Sequence, residues 1–343
     1  MIAKIVRESD LINLLGEWLK EYELIAPVKR DNLVVFDRVD SAGEVLFNYS
    51  NTVKSAKELL LPQSETLFTY SSVDHSASIE AHFNDAAPKL LFGVRPCDAK
   101  SFLLLDKVFD GERYKDAYYL NRRANTLVVT IGCVKPRTTC FCTSVNGGPF
   151  SEDGSDLMLI DIGDAYVVKV TSDRGAGLLE GAELEDAGED DLASMKRVIQ
   201  DAEASMSPKL AIEGRQENLE SIFDDPIWGP LTEKCLGCGV CTYLCPTCHC
   251  FDIIDEARDS QGERIRVWDS CQFSQFTLQA SGFNPRLTNK ERLRQRVMHK
   301  FSYFPKNYGL TGCVGCGRCI QECPVNLDIR DVLNDLLMES VIK

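Results

Sequence analysis

The chain has 343 residues, of which 44% are hydrophobic and 26% charged, a composition that is ordinary for a soluble globular protein of two or three domains. Its 38 basic and 52 acidic residues leave a net charge of −14, which argues against nucleic acid as a partner because phosphate binding relies on excess lysine and arginine. No apolar run approaches the roughly 18 residues of a membrane helix, so the sequence predicts a cytoplasmic protein with no membrane partner.

Residues 1–175 predict an α+β domain with an α/β-like arrangement. The first segment predicts an amphipathic helix, whose apolar face contains Ile5, Leu11, Leu14, Leu15, Trp18 and Leu19. Short β-branched runs bounded by Gly, Pro or Asp predict strands, and they read LVVFDRV, LLFGV, NTLVVTIGC and AYVVKVT. The segment CDAKSFLLLDKVFDG, between the second and third of these runs, predicts a helix.

Four cysteines of this domain follow two of the predicted strands. Cys97 comes after KLLFGV, and Cys133, Cys140 and Cys142 come after NTLVVTIG. Parallel neighbouring strands would place both groups at one edge of the sheet, where α/β proteins bind cofactors. The C-x6-C-x-C spacing with a remote partner matches no short motif. An iron–sulfur cluster, a small zinc site and structural thiols therefore all stay open at this point.

Residues 176–224 predict an acidic, helical connector. Between Glu180 and Asp191 the chain has seven acidic residues and no basic residue, which is typical of an exposed turn or helix start. The overlapping stretch DDLASMKRVIQDAEASM predicts a helix.

From about Asp225 the chain becomes rich in cysteine. Residues 225–343 predict a mostly α-helical ferredoxin-like domain, which closes with a helix in VNLDIRDVLNDLLMESVI.

Two cysteine blocks with the spacing C-x2-C-x2-C-x3-C-P are the most specific pattern in the chain. They are Cys235, Cys238, Cys241 and Cys245 followed by Pro246, and Cys313, Cys316, Cys319 and Cys323 followed by Pro324. Disulfides are not expected among fifteen cysteines in a reducing compartment, and the clustered spacing favours metal. Paired C-x2-C groups also bind zinc, but two complete blocks that each end in Cys-Pro favour [4Fe–4S] clusters.

The fourth cysteine of each block is expected to serve the other cluster. Three cysteines on one tight loop reach three corners of a cubane, and the fourth points away from it. We therefore assign Cys235, Cys238, Cys241 and Cys323 to one cluster, and Cys313, Cys316, Cys319 and Cys245 to the second.

Some 67 residues separate Cys245 from Cys313, and this insert is predicted to be helix-prone. It contains Cys248, Cys250 and Cys271, which are spare ligands, a redox-active pair or packing thiols. Packing is favoured because it is the usual fate of a free cysteine. His249 is interpreted as a surface or packing histidine, in preference to one that donates a hydrogen bond to a cluster.

Residues 286–306, also in the insert, contain seven Lys or Arg and one Glu. This composition fits a solvated helix face as well as a docking surface or a positive setting for the clusters.

The chain has no G-x-G-x-x-G after a strand and no P-loop, so no flavin or nucleotide is predicted in it. No catalytic residue is assigned, because no Ser/His/Asp or Cys/His set has a suitable local context. The sequence therefore predicts a protein that moves electrons rather than one that transforms a substrate.

Several stretches resemble the β subunits of cytoplasmic sulfhydrogenases and the A subunits of anaerobic sulfite reductases. They read GVRPCDAKSFLLLD, GCVKPRTTCFCTSVNGGPF, CPTCHCFDI, RVWDSC, GFNPR and GCVGCGRCIQECPVNLDI, and the resemblance extends from IAPVKRDNLVVF to the C-terminus. It implies that Cys97, Cys133, Cys140 and Cys142 hold a third [4Fe–4S] cluster. Relatives have GHNPR where this chain has GFNPR, so a role of that histidine is not carried over to Phe283.

In that family the subunit is an electron conduit beside a partner that carries FAD and a [2Fe–2S] cluster and exchanges electrons with NAD(P)H. The resemblance thus implies an iron–sulfur electron-transfer subunit of a cytoplasmic multi-subunit oxidoreductase. It also implies a terminal catalytic partner of the hydrogenase, sulfite reductase or heterodisulfide reductase type. The alternative is a catalytic reductase subunit with a flavin or substrate site in the N-terminal domain.

Overall fold

The computed structural model describes residues 3–73, 76–82, 87–212 and 216–342, which form two β-sheets and a set of mostly short helices. The strands are β1 Lys4–Arg7, β2 Glu23–Arg30, β3 Leu33–Arg38, β4 Ser64–Val73, β5 Ser76–Ala81, β6 Lys89–Val94, β7 Thr126–Ile131, β8 Leu157–Asp161, β9 Ala165–Val170, β10 Glu185–Asp186, β11 Phe251–Arg258 and β12 Gln261–Trp268. The α-helices are α1 Glu8–Glu21, α2 Pro96–Phe109, α3 Ala117–Ala124, α4 Asp173–Gly177, α5 Glu189–Ala204, α6 Gln216–Ser221, α7 Trp228–Thr232, α8 Val240–Tyr243, α9 Asn289–Met298, α10 Phe304–Tyr308, α11 Arg318–Gln321 and α12 Ile329–Ile342. A π-helical turn at His299–Tyr303 joins α9 to α10, and short 3-10 turns lie at Ala42–Glu44, Ala56–Leu59, Cys142–Val145 and Gln275–Thr277.

The larger sheet has eight strands in the order β10-β1-β9-β8-β7-β6-β2-β3. Its central strands β8, β7, β6 and β2 are parallel, and the strands outside them pair antiparallel. β6 and β7 are buried along almost their whole length because both faces of the sheet are covered. The strand runs predicted from the sequence are confirmed at β3, β6, β7 and β9.

Helices cover the central strands on both faces. α1 buries Leu11, Leu15 and Trp18 against one face, and α2, which confirms the helix predicted after β6, covers the other with Phe102 and Leu105. The predicted N-terminal helix begins later than expected, at Glu8. Ile5 lies instead in β1, where it pairs with Val167 of β9, because β-branched residues fit the pleated edge of a sheet.

The smaller sheet has the strand order β11-β12-β4-β5 and corrects the prediction of a helix-prone insert. Residues 251–268, between the two cysteine blocks, form a β-hairpin, and its alternating branched side chains pair with β4 across the chain. Buried Arg266 of the hairpin pairs with Glu65 and Asp116, so the insert is tied to the first part of the chain. The ferredoxin-like region thus contains this hairpin as well as helices. The domain limits at 175 and 225 stay a prediction.

The helices around the cysteine blocks pack on a second core, which contains Trp228, Phe301 and Leu333. Phe141 and Val145, from the N-terminal cysteine loop, belong to the same core, so the two cysteine-bearing regions lie against each other. The helices predicted in the connector and at the C-terminus are confirmed as α5 and α12. No helix in the described part of the chain is both long and apolar enough to span a membrane.

Candidate iron–sulfur sites

The first cysteine block lines a cavity together with the last cysteine of the second block. Cys235, Cys238, Cys241 and Cys323 all border this space of about 510 Å³, and Cys319 lies on its wall. Gly237 and Gly239 have φ of 66° and 76°, which only glycine adopts readily, and this lets the loop curl around the cavity. The structure therefore brings together the four cysteines that the exchange of fourth ligands assigns to one cluster.

The second set lies between the first cavity and the N-terminal domain. Burial raises the pKa of the Cys313 and Cys316 thiols, and Cys245 lies close enough to both to raise it further. The N–H of Gly315 donates to Cys313 Sγ at 3.4 Å, and Lys300 Nζ donates to Cys245 Sγ at 3.3 Å. Donors aimed at sulfur are typical of thiolates that ligate a cluster, since they stabilise the negative charge.

The four N-terminal cysteines also converge, as the pairing of two parallel strands predicts. β6 and β7 are parallel neighbours, so Cys97, in the first turn of α2, and Cys133, just after β7, lie at one sheet edge. With Cys140 and Cys142 they line a cavity of about 360 Å³, whose wall is completed by Cys316 of the second block.

A backbone contact joins the N-terminal site to the second block. The N–H of Phe141 donates to the carbonyl of Gly315 at 2.9 Å. Gly315 has a φ of 64°, and a Cβ there would lie 2.5 Å from the carbonyl carbon of Phe141. The two cysteine loops therefore approach each other as closely as their backbones allow.

The donor chemistry of these cavities fits iron–sulfur clusters. Burial raises the pKa of Cys142 and of Cys241 to about 12, so these thiols give up their protons only to an electrophile such as iron. Among the described residues, no three His, Cys, Asp or Glu side chains converge as closely as the ligands of one metal ion do. The thiols ring a space instead, which suits a multi-atom group better than a mononuclear zinc.

Buried cations surround the same cavities, and sequence reasoning located them only as a basic stretch. Arg296 and Lys300 are 3% and 4% exposed, so the solvated interpretation of residues 286–306 is wrong at these positions. Arg296 donates to the carbonyl of Cys241 at 3.4 Å, and its Nε has no hydrogen-bond partner in the described part of the chain. Arg292, Arg296 and Lys300 recur every four residues, and this helical spacing is the signal that would have identified them.

A buried ion pair at the centre of the molecule was not predicted. Arg318, next to Cys319, binds both carboxylate oxygens of Asp98, next to Cys97, at 2.6 Å each. The remaining donors of Arg318 reach the carbonyl of Thr52 at 3.0 Å and the side chain of Asn51 at 2.6 Å. The pair fixes α2 against the second cysteine block. Asp98 lies in the stretch GVRPCDAKSFLLLD and Arg318 lies inside the second block, but no local pattern indicates that the two residues meet.

Comparison with known proteins agrees with this geometry. A family model described as a 4Fe-4S dicluster domain matches residues 234–327. The chain is 33% identical over 330 residues, which are 95% of each protein, to the sulfhydrogenase 2 subunit beta of Pyrococcus furiosus. No solved structure matches the chain.

Proposed function

The chain belongs to the family of sulfhydrogenase β subunits, and on this premise we propose that it is an iron–sulfur electron-transfer subunit of a cytoplasmic oxidoreductase complex. It relays electrons between a partner that carries FAD and a [2Fe–2S] cluster and reacts with NAD(P)H, and a terminal enzyme. The terminal enzyme is of the hydrogenase, sulfite reductase or heterodisulfide reductase type. Residues 1–175 provide one cluster site and residues 225–343 provide two cluster sites. Residues 176–224 connect these two regions.

The continuity of the three cysteine sites supports this proposal most strongly. Cys319 borders the cavity of the first block, and Cys316, three residues earlier, borders the N-terminal cavity. The second set of cysteines therefore lies between the other two sites. Clusters bound at these sites would each accept and pass one electron, and such a row is what a relay requires.

The residues of this chain would hold and tune those clusters. Cys97, Cys133, Cys140 and Cys142 serve the N-terminal cluster, Cys235, Cys238, Cys241 and Cys323 the first-block cluster, and Cys245, Cys313, Cys316 and Cys319 the second-block cluster. Lys300, through its bond to Cys245 Sγ, and Arg296, beside Cys241, raise the potentials because positive charge favours the more negative reduced state. Cys142, Cys245 and Cys316 are buried, whereas Cys238 is exposed, so the first-block cluster is the one nearest to solvent.

The ligand assignment is tested by comparing single cysteine variants with electron paramagnetic resonance (EPR). Loss of one ligand converts a cubane to a three-iron form or removes it. We expect Cys323→Ala to alter the same EPR signal as Cys235→Ala, and Cys245→Ala to alter the signal that Cys313→Ala alters. If Cys323→Ala instead follows Cys313→Ala, the exchange of fourth ligands is wrong. Cys97→Ala should affect neither of these signals and lower the iron by up to about four per chain.

The relay is tested in the native complex, isolated anaerobically through a tag on this chain. A flavoprotein and a terminal reductase or hydrogenase should co-purify, and NAD(P)H should bleach the cluster absorption. In the Cys97→Ala complex, NAD(P)H oxidation coupled to the terminal enzyme should fall, while NAD(P)H oxidation with an artificial acceptor at the flavin stays unchanged. A coupled rate equal to the wild type would contradict a relay through the N-terminal site.

One observation favours the alternative of a flavin or substrate site in this chain. A wide, partly open cavity of about 1320 Å³ borders Cys133 at the ends of the parallel strands, where α/β proteins bind ligands. Its wall carries Arg95 and Lys135 together with Glu8, Asp161 and Asp164, so it offers charged groups of both signs to a polar ligand. Visible flavin absorption in the isolated chain would favour this alternative, and a chain free of flavin that depends on its partner for NAD(P)H oxidation would support the relay.

A further inference from the structure

Three cysteines outside the assigned sites share a cavity of their own. Cys248, Cys250 and Cys271 border a space of about 330 Å³, close to the 360 Å³ of the N-terminal cysteine cavity. Its other walls include His249, His299 and Lys300. Thiols that merely fill a core pack against apolar side chains, whereas the wall of this cavity carries two histidines and a buried lysine beside the thiols. Core packing alone therefore does not account for this arrangement.

The β-hairpin brings these cysteines together from distant positions. Phe251 at the start of β11 pairs with Trp268 at the end of β12, so the chain on either side of the hairpin meets at its base. The N–H of Asp269 donates to the carbonyl of Cys250 at 3.0 Å. The side chains of Cys250 and Cys271 are hydrogen-bonded to each other. The base of the hairpin thus brings Cys271 next to the segment that carries Cys248 and Cys250.

Buried positive charge marks the cavity as a site for an anionic group. Arg296 and Lys300 line it, and in the described part of the chain neither has a carboxylate partner. Arg296, which borders this cavity and that of the first block, is 3% exposed, and its Nε has no hydrogen-bond partner among the described residues. Lys57, also buried, donates to the carbonyl of Cys248 at 2.8 Å. Burying cations is costly unless negative charge lies close by, and thiolates that ligate a cluster supply it.

His249 offers a nitrogen ligand at the same cavity. Its Nδ1 lies 3.0 Å from the carbonyl of Thr247, and a carbonyl only accepts, so Nδ1 carries the proton. The lone pair is then on Nε2, which is the form of histidine that binds metals. The other twelve cysteines belong to the three assigned sets, so a fourth iron needs a ligand of another kind. His249 lies between Cys248 and Cys250 in the chain, which favours its imidazole for that role.

We propose that this cavity binds a fourth [4Fe–4S] cluster, with Cys248, Cys250 and Cys271 as thiolate ligands and His249 as the fourth ligand. Arg296 borders this cavity as well as that of the first block, and Cys245 of the second block is hydrogen-bonded to Cys248. The fourth cluster is therefore adjacent to both ferredoxin-type clusters. It gives the relay a branch at the base of the hairpin, beside the other sites.

The decisive measurement is iron and acid-labile sulfide per chain, on anaerobically reconstituted protein with a Mössbauer spectrum of the wild type. With four irons per cubane we expect about sixteen irons in the wild type and about twelve in the triple variant Cys248→Ala/Cys250→Ala/Cys271→Ala. Cys97→Ala is the control at a different site, where loss of one ligand should lower the iron by one to about four per chain. Pulsed EPR of the reduced wild type should show a nitrogen coupling that His249→Ala removes.

The outcomes separate this proposal from the three-cluster relay. About twelve irons in the wild type, with no loss in the triple variant and a loss in Cys97→Ala, would overturn the fourth cluster and leave the relay intact. A loss in the triple variant without one in Cys97→Ala would support the fourth cluster and overturn the N-terminal site. The wild-type iron count decides the case if the triple variant fails to fold, and absence of any nitrogen coupling overturns the role of His249.

Discussion

The buried pair of Asp98 and Arg318 should be the most sensitive polar contact between the two cysteine-bearing regions. Both side chains are about 1% exposed, and both carboxylate oxygens of Asp98 are bound at 2.6 Å. Asp98→Leu would leave the Arg318 charge buried without its counter-ion. Breaking a buried pair from one side costs about 3–5 kcal/mol, so we expect a loss of that size in the free energy of unfolding.

A second variant isolates the unpaired charge from the change in packing. In Asp98→Leu/Arg318→Met no charge remains, although Thr52 and Asn51 still lose the donors that Arg318 provides. We therefore expect the double variant to be more stable than Asp98→Leu alone, since an apolar pair avoids the cost of the isolated charge. Lys20→Ala, which breaks an exposed pair with Glu17, serves as the surface control and should cause no measurable change.

The assay is anaerobic urea unfolding of the cluster-loaded chain, followed by circular dichroism and by cluster absorption. If unfolding proves irreversible, the rates of cluster loss are compared instead. A decrease of less than about 1 kcal/mol for Asp98→Leu, or a double variant less stable than the single one, would refute the reasoning. Either result would mean that water or a backbone movement compensates the buried charge of the Arg318 guanidinium.

Lys300→Met should make the potential of the second-block cluster more negative by roughly 60 mV, because a charge-assisted hydrogen bond of about 1.5 kcal/mol to Cys245 Sγ is lost. A potentiometric EPR titration measures this change, and Lys306→Met, at an exposed lysine, is the control. An unchanged potential would exclude this electrostatic role. Gly315→Ala should lower the melting temperature by more than Gly309→Ala does. Both glycines have a positive φ, but only at Gly315 would an added Cβ collide with the backbone of Phe141. Equal losses in the two variants would contradict the close approach of the loops. Removal of iron with a chelator should increase hydrogen exchange in the cysteine loops while β6 and β7 stay protected, because the core of the large sheet needs no metal. A uniform loss of protection would show that this core also depends on the clusters.

The sequence by itself determined the local parts of this protein. The strands β3, β6, β7 and β9 and the helices α2, α5 and α12 follow from short-range patterns of branched and apolar residues. The ferredoxin-type blocks were also recognisable, because the spacing of thiols on one tight loop is dictated by the shape of a cubane. The exchange of Cys245 and Cys323 is a prediction from the same geometry. These features depend on neighbours along the chain.

The tertiary structure alone decided how those parts meet. The insert reads as helical, yet its first part is a hairpin because β4, some 190 residues earlier, offers an edge to pair with. Arg318 and Asp98 are 220 residues apart, and no local pattern links them. Cys248, Cys250 and Cys271 looked like packing thiols until the base of the hairpin placed them around one cavity with Arg296 and Lys300. A buried charge or thiol acquires its role from whatever the fold packs beside it, and that neighbour is absent from the local sequence.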